Sequence, residues 1–352
     1  MKQYRLAVIP GDGIGPEVIP EGLKVLHAAG RRYGFAIEPT EFPWGCDYYR
    51  RYGAMMPADG LDVLAGYDAI YLGAVGDPRV PDHVSLWGLL LKIRKGFDLY
   101  ANVRPVRLLE GIDGPLAGRA PQDIDILFVR ENTEGEYAGV GGRVAAGTAQ
   151  EVALQTAVYT RRSTERILRF AFDLARTRSG RLASVTKSNA LQYTAVMWDE
   201  VAAAVAADYP DISVRTLHVD AAAYQMVLHP EWFDVMVGSN LYADVLTDLG
   251  AALQGSLGLA ASANLDPTRA RPSMFEPVHG SAPDIAGRGI ANPMATIWTA
   301  SLLLQHLGET EAAAAIFAAL AGVLRQRDVR TPDLGGASST RAVGDAVAAV
   351  LA

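Results

Sequence analysis

Lysine is nearly missing from this chain. Of its 32 basic residues only five are lysine, at Lys2, Lys24, Lys92, Lys95 and Lys187, so arginine carries the positive charge almost everywhere. Arginine keeps its proton inside a protein, whereas a partly buried lysine can have its pKa drawn into the working range. Lys187, the one lysine after Lys95, is therefore a candidate for acid/base chemistry, with chance as the plainer explanation. Cysteine is rarer still: Cys46 stands alone, which excludes an intrachain disulfide. There is no basic run and the net charge is −7, so broad binding of nucleic acid or anionic membrane through counterion release is excluded. The longest apolar run, Ala312 to Leu324, is too short and too alanine-rich to span a bilayer, which takes about 18 apolar residues. It reads as a buried helix. The opening MKQYRLAVIPG lacks the apolar region of a signal peptide, so the cytoplasm is the expected compartment.

What is present is a chain of 352 residues, half hydrophobic and one fifth charged, long enough for a large core and two domains. β-Branched runs alternate with amphipathic stretches: RLAVIP before PEVIPEGLKVLHAAG, YDAIYLGAV before SLWGLLLKIRKG, DILFVREN before TRRSTERILRFAFDLARTR. That rhythm is α/β, with a largely parallel and covered sheet. Between Thr160 and Arg178, the residues Ile167, Leu168, Ala171, Phe172 and Ala175 fall on one helical face with arginines opposite. The first turn, IPGDGIGPEV, follows a strand and leads into a helix, with Pro16 or Pro20 as its first helical residue. Its glycines, Gly11, Gly13 and Gly15, are wrongly spaced for the G-x-G-x-x-G dinucleotide fingerprint and no P-loop lysine follows. A tight, close-packed turn and a cofactor contact both remain open.

Four constellations carry chemistry. In SNLYADVLTDLG, Asp244 and Asp248 project from one face of a helix and repel each other unless a hard dication such as Mg²⁺ or Mn²⁺ lies between them; the alternative is a solvated acidic face. The flanking Val245, Leu246 and Leu249 suggest a partly buried pair, and Asp220 in LHVDAAAY is a candidate third ligand. In FVRENTEGEY, Arg130 ends a strand, where ligands of α/β sheets usually bind; it can grip a carboxylate or pair with an acidic neighbour, and Tyr137 can donate a proton. Lys187 follows the strand LASVT to the same edge. In MFEPVHGSAPDIAGRGIANP, Glu276, His279 and Asp284 stand in a loop rich in glycine and proline, suited to wrapping a nucleotide or to a structural Ω-loop.

Taken together, GDGIGPEV, the arginines of LLLKIR and ANVRP, VRENTEGEY, TKSNA, SNLYADVLTD and FEPVHGSAPDIAGRGIANP resemble the isocitrate and 3-isopropylmalate dehydrogenase family, the β-decarboxylating dehydrogenases, over essentially the whole chain. The resemblance implies a two-domain α/β fold with a shared mixed sheet, not Rossmann. Residues 1–100 and 256–352 would form the first, cofactor-side domain and 101–255 a second, dimerising domain. It implies a homodimer with shared active sites in the cleft between domains. Arg94, Arg104 and Arg130 would hold substrate carboxylates, and Asp244 and Asp248 would join Asp220 of the partner subunit on Mg²⁺ or Mn²⁺, with K⁺ a further candidate cation. Tyr137, and Lys187 of the partner subunit, would carry protons. Glu276, His279, Gly280, Ser281, Ala282, Asp284, Ile285 and Asn292 would bind the cofactor. Members that use NADP resemble one another in placing Lys-Tyr where this chain has Asp284 and Ile285, which points to NAD.

Substrate choice turns on PDHVSLWGLLLKIRKGFDLYANVRP, residues 81–105. Isopropylmalate enzymes of the family carry an acidic residue where Trp87 stands, and isocitrate enzymes carry Ser and Asn at the positions of Gly88 and Leu90. This chain departs from both. Trp87 and Leu90 are thus expected beside the substrate, favouring a compact four-carbon 2-hydroxy diacid, D-malate or tartrate, which would be oxidised by NAD and decarboxylated; core packing is the alternative for Trp87. Leu86, Leu89 and Ile93 are the candidate packing residues. A 3-isopropylmalate dehydrogenase is the nearest alternative. A silent regulatory subunit is disfavoured because Lys187, Tyr137, Asp244 and Asp248 are all kept. A phosphate-binding module built on GDGIG would bind nucleotide whatever stands at Asp284.

Overall fold

The run RLAVIP forms the heart of β1 (Lys2–Gly11) and the amphipathic stretch behind it forms α1 (Gly15–Tyr33), in a computed structural model that describes residues 2–352. There follow β2 (Phe35–Glu41), α2 (Cys46–Tyr52), α3 (Gly60–Leu64), β3 (Ala69–Ala74), α4 (Asp82–Ser85), a π-helical turn (Leu86–Leu90), α5 (Leu91–Gly96), β4 (Ala101–Arg107) and β5 (Asp125–Glu131). The middle of the chain forms β6 (Gly135–Val144), β7 (Val152–Val158), α6 (Arg161–Arg176), β8 (Arg181–Thr186), α7 (Thr194–Ala206), β9 (Ser213–His218), α8 (Val219–Leu228), β10 (Val235–Gly238) and α9 (Asn240–Leu253). It ends with β11 (Ala261–Leu265), β12 (Ser273–Pro277), α10 (Met294–Leu307), α11 (Thr310–Gln326) and α12 (Thr340–Leu351).

The chain forms two compact units. The first holds the described residues up to Leu99 with Arg104–Ile124 and Ala251–Ala352, and the second holds Tyr100–Val103 and Asp125–Gly250. Compared with the expected boundaries at 100/101 and 255/256, residues 104–124 and 251–255 group with the first unit and Tyr100 with the second.

In the first unit the strands run β2-β1-β3-β12-β11, parallel except where β11 turns back against β12. Every residue of β3 is buried, as a parallel strand covered on both faces requires. Helix α1 packs on α10, α11 and α12. The alanine-rich run buries Ala312, Ala313, Ile316, Ala319, Leu320, Val323 and Leu324 along α11, and among the described residues no helix is long and apolar enough to cross a membrane. A second apolar cluster joins Ile9 and Leu72 to Trp44, Met55, Met56, Leu89, Ile93 and Phe97. Of the two candidate start residues, Pro16 lies in the first turn of α1, where its missing N–H costs nothing, and Pro20 lies inside the helix. The glycine turn is close-packed. A Cβ on Gly11 would stand 1.9 Å from the Ala74 carbonyl oxygen and one on Gly13 1.9 Å from that of Ser281, and both residues have positive φ.

In the second unit β5-β10-β8-β9 are parallel throughout. The five apolar residues expected on one face of α6 are all buried, and the Thr160 hydroxyl caps that helix by accepting from Ser163 N at 3.1 Å. Gly238 lies opposite Arg130 on one side and Val185 on the other, so Arg130, Lys187 and the start of α9 come to one carboxyl edge. β6 and β7 pair only with each other, and from Val140 to Thr156 the hairpin is exposed on both faces. A two-stranded ribbon of that kind is marginal alone in water.

Candidate active site

A guanidinium at the end of β5 organises the carboxyl edge of the second unit. Arg130 is buried, its Nε and Nη2 donating to Asn240 Oδ1 at 3.0 and 2.6 Å and its Nη1 to Asp244. Its plane lies against the Tyr137 ring, 5.3 Å from the centroid, and the Tyr137 hydroxyl donates to the second oxygen of Asp244 at 2.9 Å. A buried cation is tolerated because it is paired and hydrogen-bonded; removing one partner of such a pair costs about 3–5 kcal/mol. The loop from Arg130 to Tyr137 is fastened in turn by Glu131, whose buried carboxylate accepts from Thr133 Oγ1 at 2.6 Å and Glu134 N at 2.8 Å. Burial pushes the Glu131 carboxyl above the usual range, and those donors oppose the shift.

The acidic pair of α9 is less enclosed than its apolar neighbours suggested. Leu246 is buried, but Val245 is 61% exposed, Asp244 is half-buried and Asp248 is exposed. At the same edge, Lys187 Nζ donates to Asp220 Oδ1 at 2.6 Å. That bond holds the Asp220 carboxyl below its ordinary range. Within the chain Asp220 keeps company with Lys187, apart from Asp244 and Asp248. Among the described residues no three His, Cys, Asp or Glu side chains stand together as a ligand set. The donors are all carboxylates, which suit a hard dication such as Mg²⁺ or Mn²⁺. Large apolar side chains beside them face outward: Tyr193 is 79% exposed, and Leu191, Tyr224 and Leu228 are exposed as well.

In the first unit, Arg94 of α5 is buried and donates through Nη2 to Glu276 Oε1 at 2.6 Å, an oxygen that also accepts from Asn264 Nδ2 at 2.9 Å. Glu276, expected among the cofactor ligands, therefore serves an arginine here. Arg94 Nε is buried with no partner. Arg104 is buried on β4. The stretch holding Trp87 is a π-helical turn, a feature often found at functional sites. Leu89 and Ile93 are fully buried, whereas Leu86 is half-buried and Leu90 only leans on the cluster. Trp87 is no core residue: it is 39% exposed, with the Lys95 ammonium 4.7 Å from its ring. Gly88 sits so close to Met55 that a Cβ there would come within 2.5 Å of Met55 Cγ.

The loop after β12 is pinned to the glycine turn. Ile14 N donates to the Ser281 carbonyl at 2.9 Å, and the Glu17 carboxylate accepts from Gly287 N at 2.5 Å and Gly289 N at 2.8 Å. Ile285 packs with Ile14, Val18, Ala282 and Ala291, while Gly280 and Asp284 are exposed. Asn292 accepts from Met294 N at 3.0 Å at the start of α10 and donates to Asp333 Oδ2 at 3.0 Å. His279 is buried, which pushes its pKa down. Its Nδ1 bonds the Gly280 carbonyl at 3.0 Å, so Nε2 is a free acceptor, buried and unpartnered. Such an atom fits an amino group of a purine, and an exposed carboxylate at 284 fits a ribose diol.

Arg130, Tyr137 and Asp244, read from two separate motifs, lie in contact here, and Asn240, which binds Arg130 as well, was not among the expected residues; its only signal was its place one helical turn before Asp244.

The family model described as isocitrate/isopropylmalate dehydrogenase matches residues 5–347. A probable tartrate dehydrogenase/decarboxylase of Agrobacterium vitis is 53% identical, over all of this chain and 97% of that protein. The decarboxylating D-malate dehydrogenase of Escherichia coli is 51% identical, over all of this chain and 99% of that protein. Among solved structures, an isocitrate dehydrogenase from Methylococcus capsulatus superposes with a TM-score of 0.90 at 36% identity, covering 99% of each chain.

Proposed function

The chain belongs to the isocitrate/isopropylmalate dehydrogenase family, and within it we propose that this enzyme oxidises and decarboxylates a four-carbon 2-hydroxy diacid, D-malate or tartrate, with NAD and Mg²⁺ or Mn²⁺. The observation that carries the choice of substrate is the π-helical turn: Trp87 half-exposed rather than core, and Met55 filling the space a side chain at Gly88 would need. A large aromatic at the site would crowd an isopropyl group, and with glycine and leucine at 88 and 90 no hydroxyl or amide is offered to a third carboxylate.

The side chains divide the chemistry. Arg94, Arg104 and Arg130 are the guanidinium groups for the substrate carboxylates, each able to bind two oxygens at once. Lys187, once its own proton has passed to Asp220, to which it is bonded, takes the proton of the substrate hydroxyl as the bond from C2 to hydrogen breaks. After carbon dioxide leaves, the Tyr137 hydroxyl delivers a proton to the carbon that lost it. When bound, NAD supplies the hydride acceptor, and a divalent cation on Asp244, Asp248 and a third carboxylate supplies Lewis acidity to the oxygens at C2. The loop with unpartnered His279 Nε2 and exposed Asp284 is the place for the nucleotide, and the absence of a lysine-tyrosine pair at 284 and 285 favours NAD over NADP.

The working form is a homodimer in the cytoplasm, in which Lys187 and Asp220 of the partner subunit serve Asp244 and Asp248. Support comes from the exposed apolar side chains beside those residues and from the two-stranded hairpin that bears Val140, Val144, Val152 and Leu154 outward. The test is product identification: D-malate with NAD and Mn²⁺ should yield NADH, pyruvate and carbon dioxide in equal amounts. NADH without decarboxylation, or no turnover of either four-carbon acid, would contradict the proposal.

A further inference from the structure

Asn240 makes three hydrogen bonds inside the Arg130 cluster from a fully buried side chain. Its Oδ1 accepts from Arg130 Nε at 3.0 Å and Nη2 at 2.6 Å, while its Nδ2 donates to the Glu134 carbonyl at 3.1 Å. Asp244, one turn further along the same face of α9, takes Arg130 Nη1. The two holds differ in kind. The amide is neutral and poorly suited to a hard dication, whereas the carboxylate is the group such a cation seeks.

We infer that Asn240 is the positioning residue that keeps Arg130 in place when Asp244 turns to the metal, an inference that rests on the metal assignment made above. The bond from Arg130 Nη1 to Asp244 is then given up, while those from Nε and Nη2 to Asn240 stay fixed. Deprived of the amide, the guanidinium would settle onto Asp244 in the two-bond geometry that arginine favours with carboxylates, and would compete with the cation. The other end of the amide is firm as well. Glu134, whose carbonyl it bonds, is held through its own carboxylate by Thr160 N and Oγ1, both at 2.8 Å, and lies in the loop that carries Tyr137. Asn240 thereby ties the substrate arginine to that loop.

The test is Mn²⁺ binding followed by electron paramagnetic resonance, without substrate or NAD, on Asn240→Ala, Arg130→Met and the double variant. Asn240→Ala should weaken Mn²⁺ binding about tenfold, the scale of a lost hydrogen bond to a charged group. In the Arg130→Met background the same change should matter less than about twofold, because the competing guanidinium is gone. Equal weakening in both backgrounds would mark a merely structural role and overturn the inference, as would unchanged binding in the single variant. If Asn240→Ala does not fold, Asn240→Ser, which keeps a residue favoured at a helix start, takes its place with the same expectation. Wild-type protein that bound no Mn²⁺ would overturn the metal assignment itself, and this inference with it. The readout needs no turnover, so the choice among D-malate, tartrate and larger acids can fail without altering the result.

Discussion

Tyr137 and Asp244 share a hydrogen bond of 2.9 Å between residues 107 apart in sequence, the phenol donating to Oδ2 while Arg130 occupies the other oxygen. The proton donor and a candidate metal ligand are thereby in direct contact. Tyr137→Phe removes the proton without removing the ring that lies against Arg130. Release of the decarboxylated product should slow by about 10²–10⁴, the usual worth of a general acid, while the first hydride transfer slows far less. Single-turnover measurement of NADH against pyruvate separates the steps; equal losses in both would remove the proton-donor role.

Asp248 is exposed, so its loss should bear chiefly on the cation. Asp248→Asn should raise the Mn²⁺ concentration needed for half-maximal rate by about tenfold or more, since an amide is a poor ligand for a hard dication. An unchanged Mn²⁺ titration would contradict the assignment.

Gly13 stands against the carbonyl of Ser281 with a positive φ, so any side chain there meets backbone that cannot step aside. Gly13→Ala should cost more than about 2 kcal/mol in urea denaturation, the combined effect of strain and overpacking. It should also loosen the loop that begins at His279, weakening nucleotide binding measured by fluorescence. A stable variant with normal binding would show that the turn has more room than its contacts imply.

Acid should destabilise the protein partly through His306. Burial, with nearby Arg269 adding to it, lowers this imidazole from an ordinary value of 6.5 to about 4. A histidine whose folded pKa is depressed binds fewer protons folded than unfolded, so its contribution is complete above pH 6.5 and fades as pH falls toward 4. Melting temperature should therefore drop across that window, and His306→Gln should flatten the drop. An equally steep acid limb in the variant would assign the effect to other groups.

Much of this was legible in the chain because it depends on local spacing. The face of α6 follows from residues three and four apart, and the place of Asp244 and Asp248 on one helix from a single helical turn. The loop of His279 and the turn of Gly11 and Gly13 announced themselves through glycine and proline. Partnerships across long separations were not legible: Arg94 meets Glu276 from 182 positions away, a bond with no local signal. Asn240 was passed over for a similar reason, since nothing local says that an amide before the acidic pair will hold Arg130. Exposure misled as well. Valine is usually buried, yet Val245 is open in the chain, and side chains that wait for a ligand or a second copy carry no mark of it in composition.

The ratio of kcat/KM for D-malate to that for 3-isopropylmalate, measured with NAD and Mn²⁺, bears most directly on the account. An isopropyl group adds three carbons, and discrimination against each is worth about 1–3 kcal/mol in a pocket shaped for a smaller acid. The account predicts a preference for D-malate of at least about 100-fold. A preference for 3-isopropylmalate would contradict it.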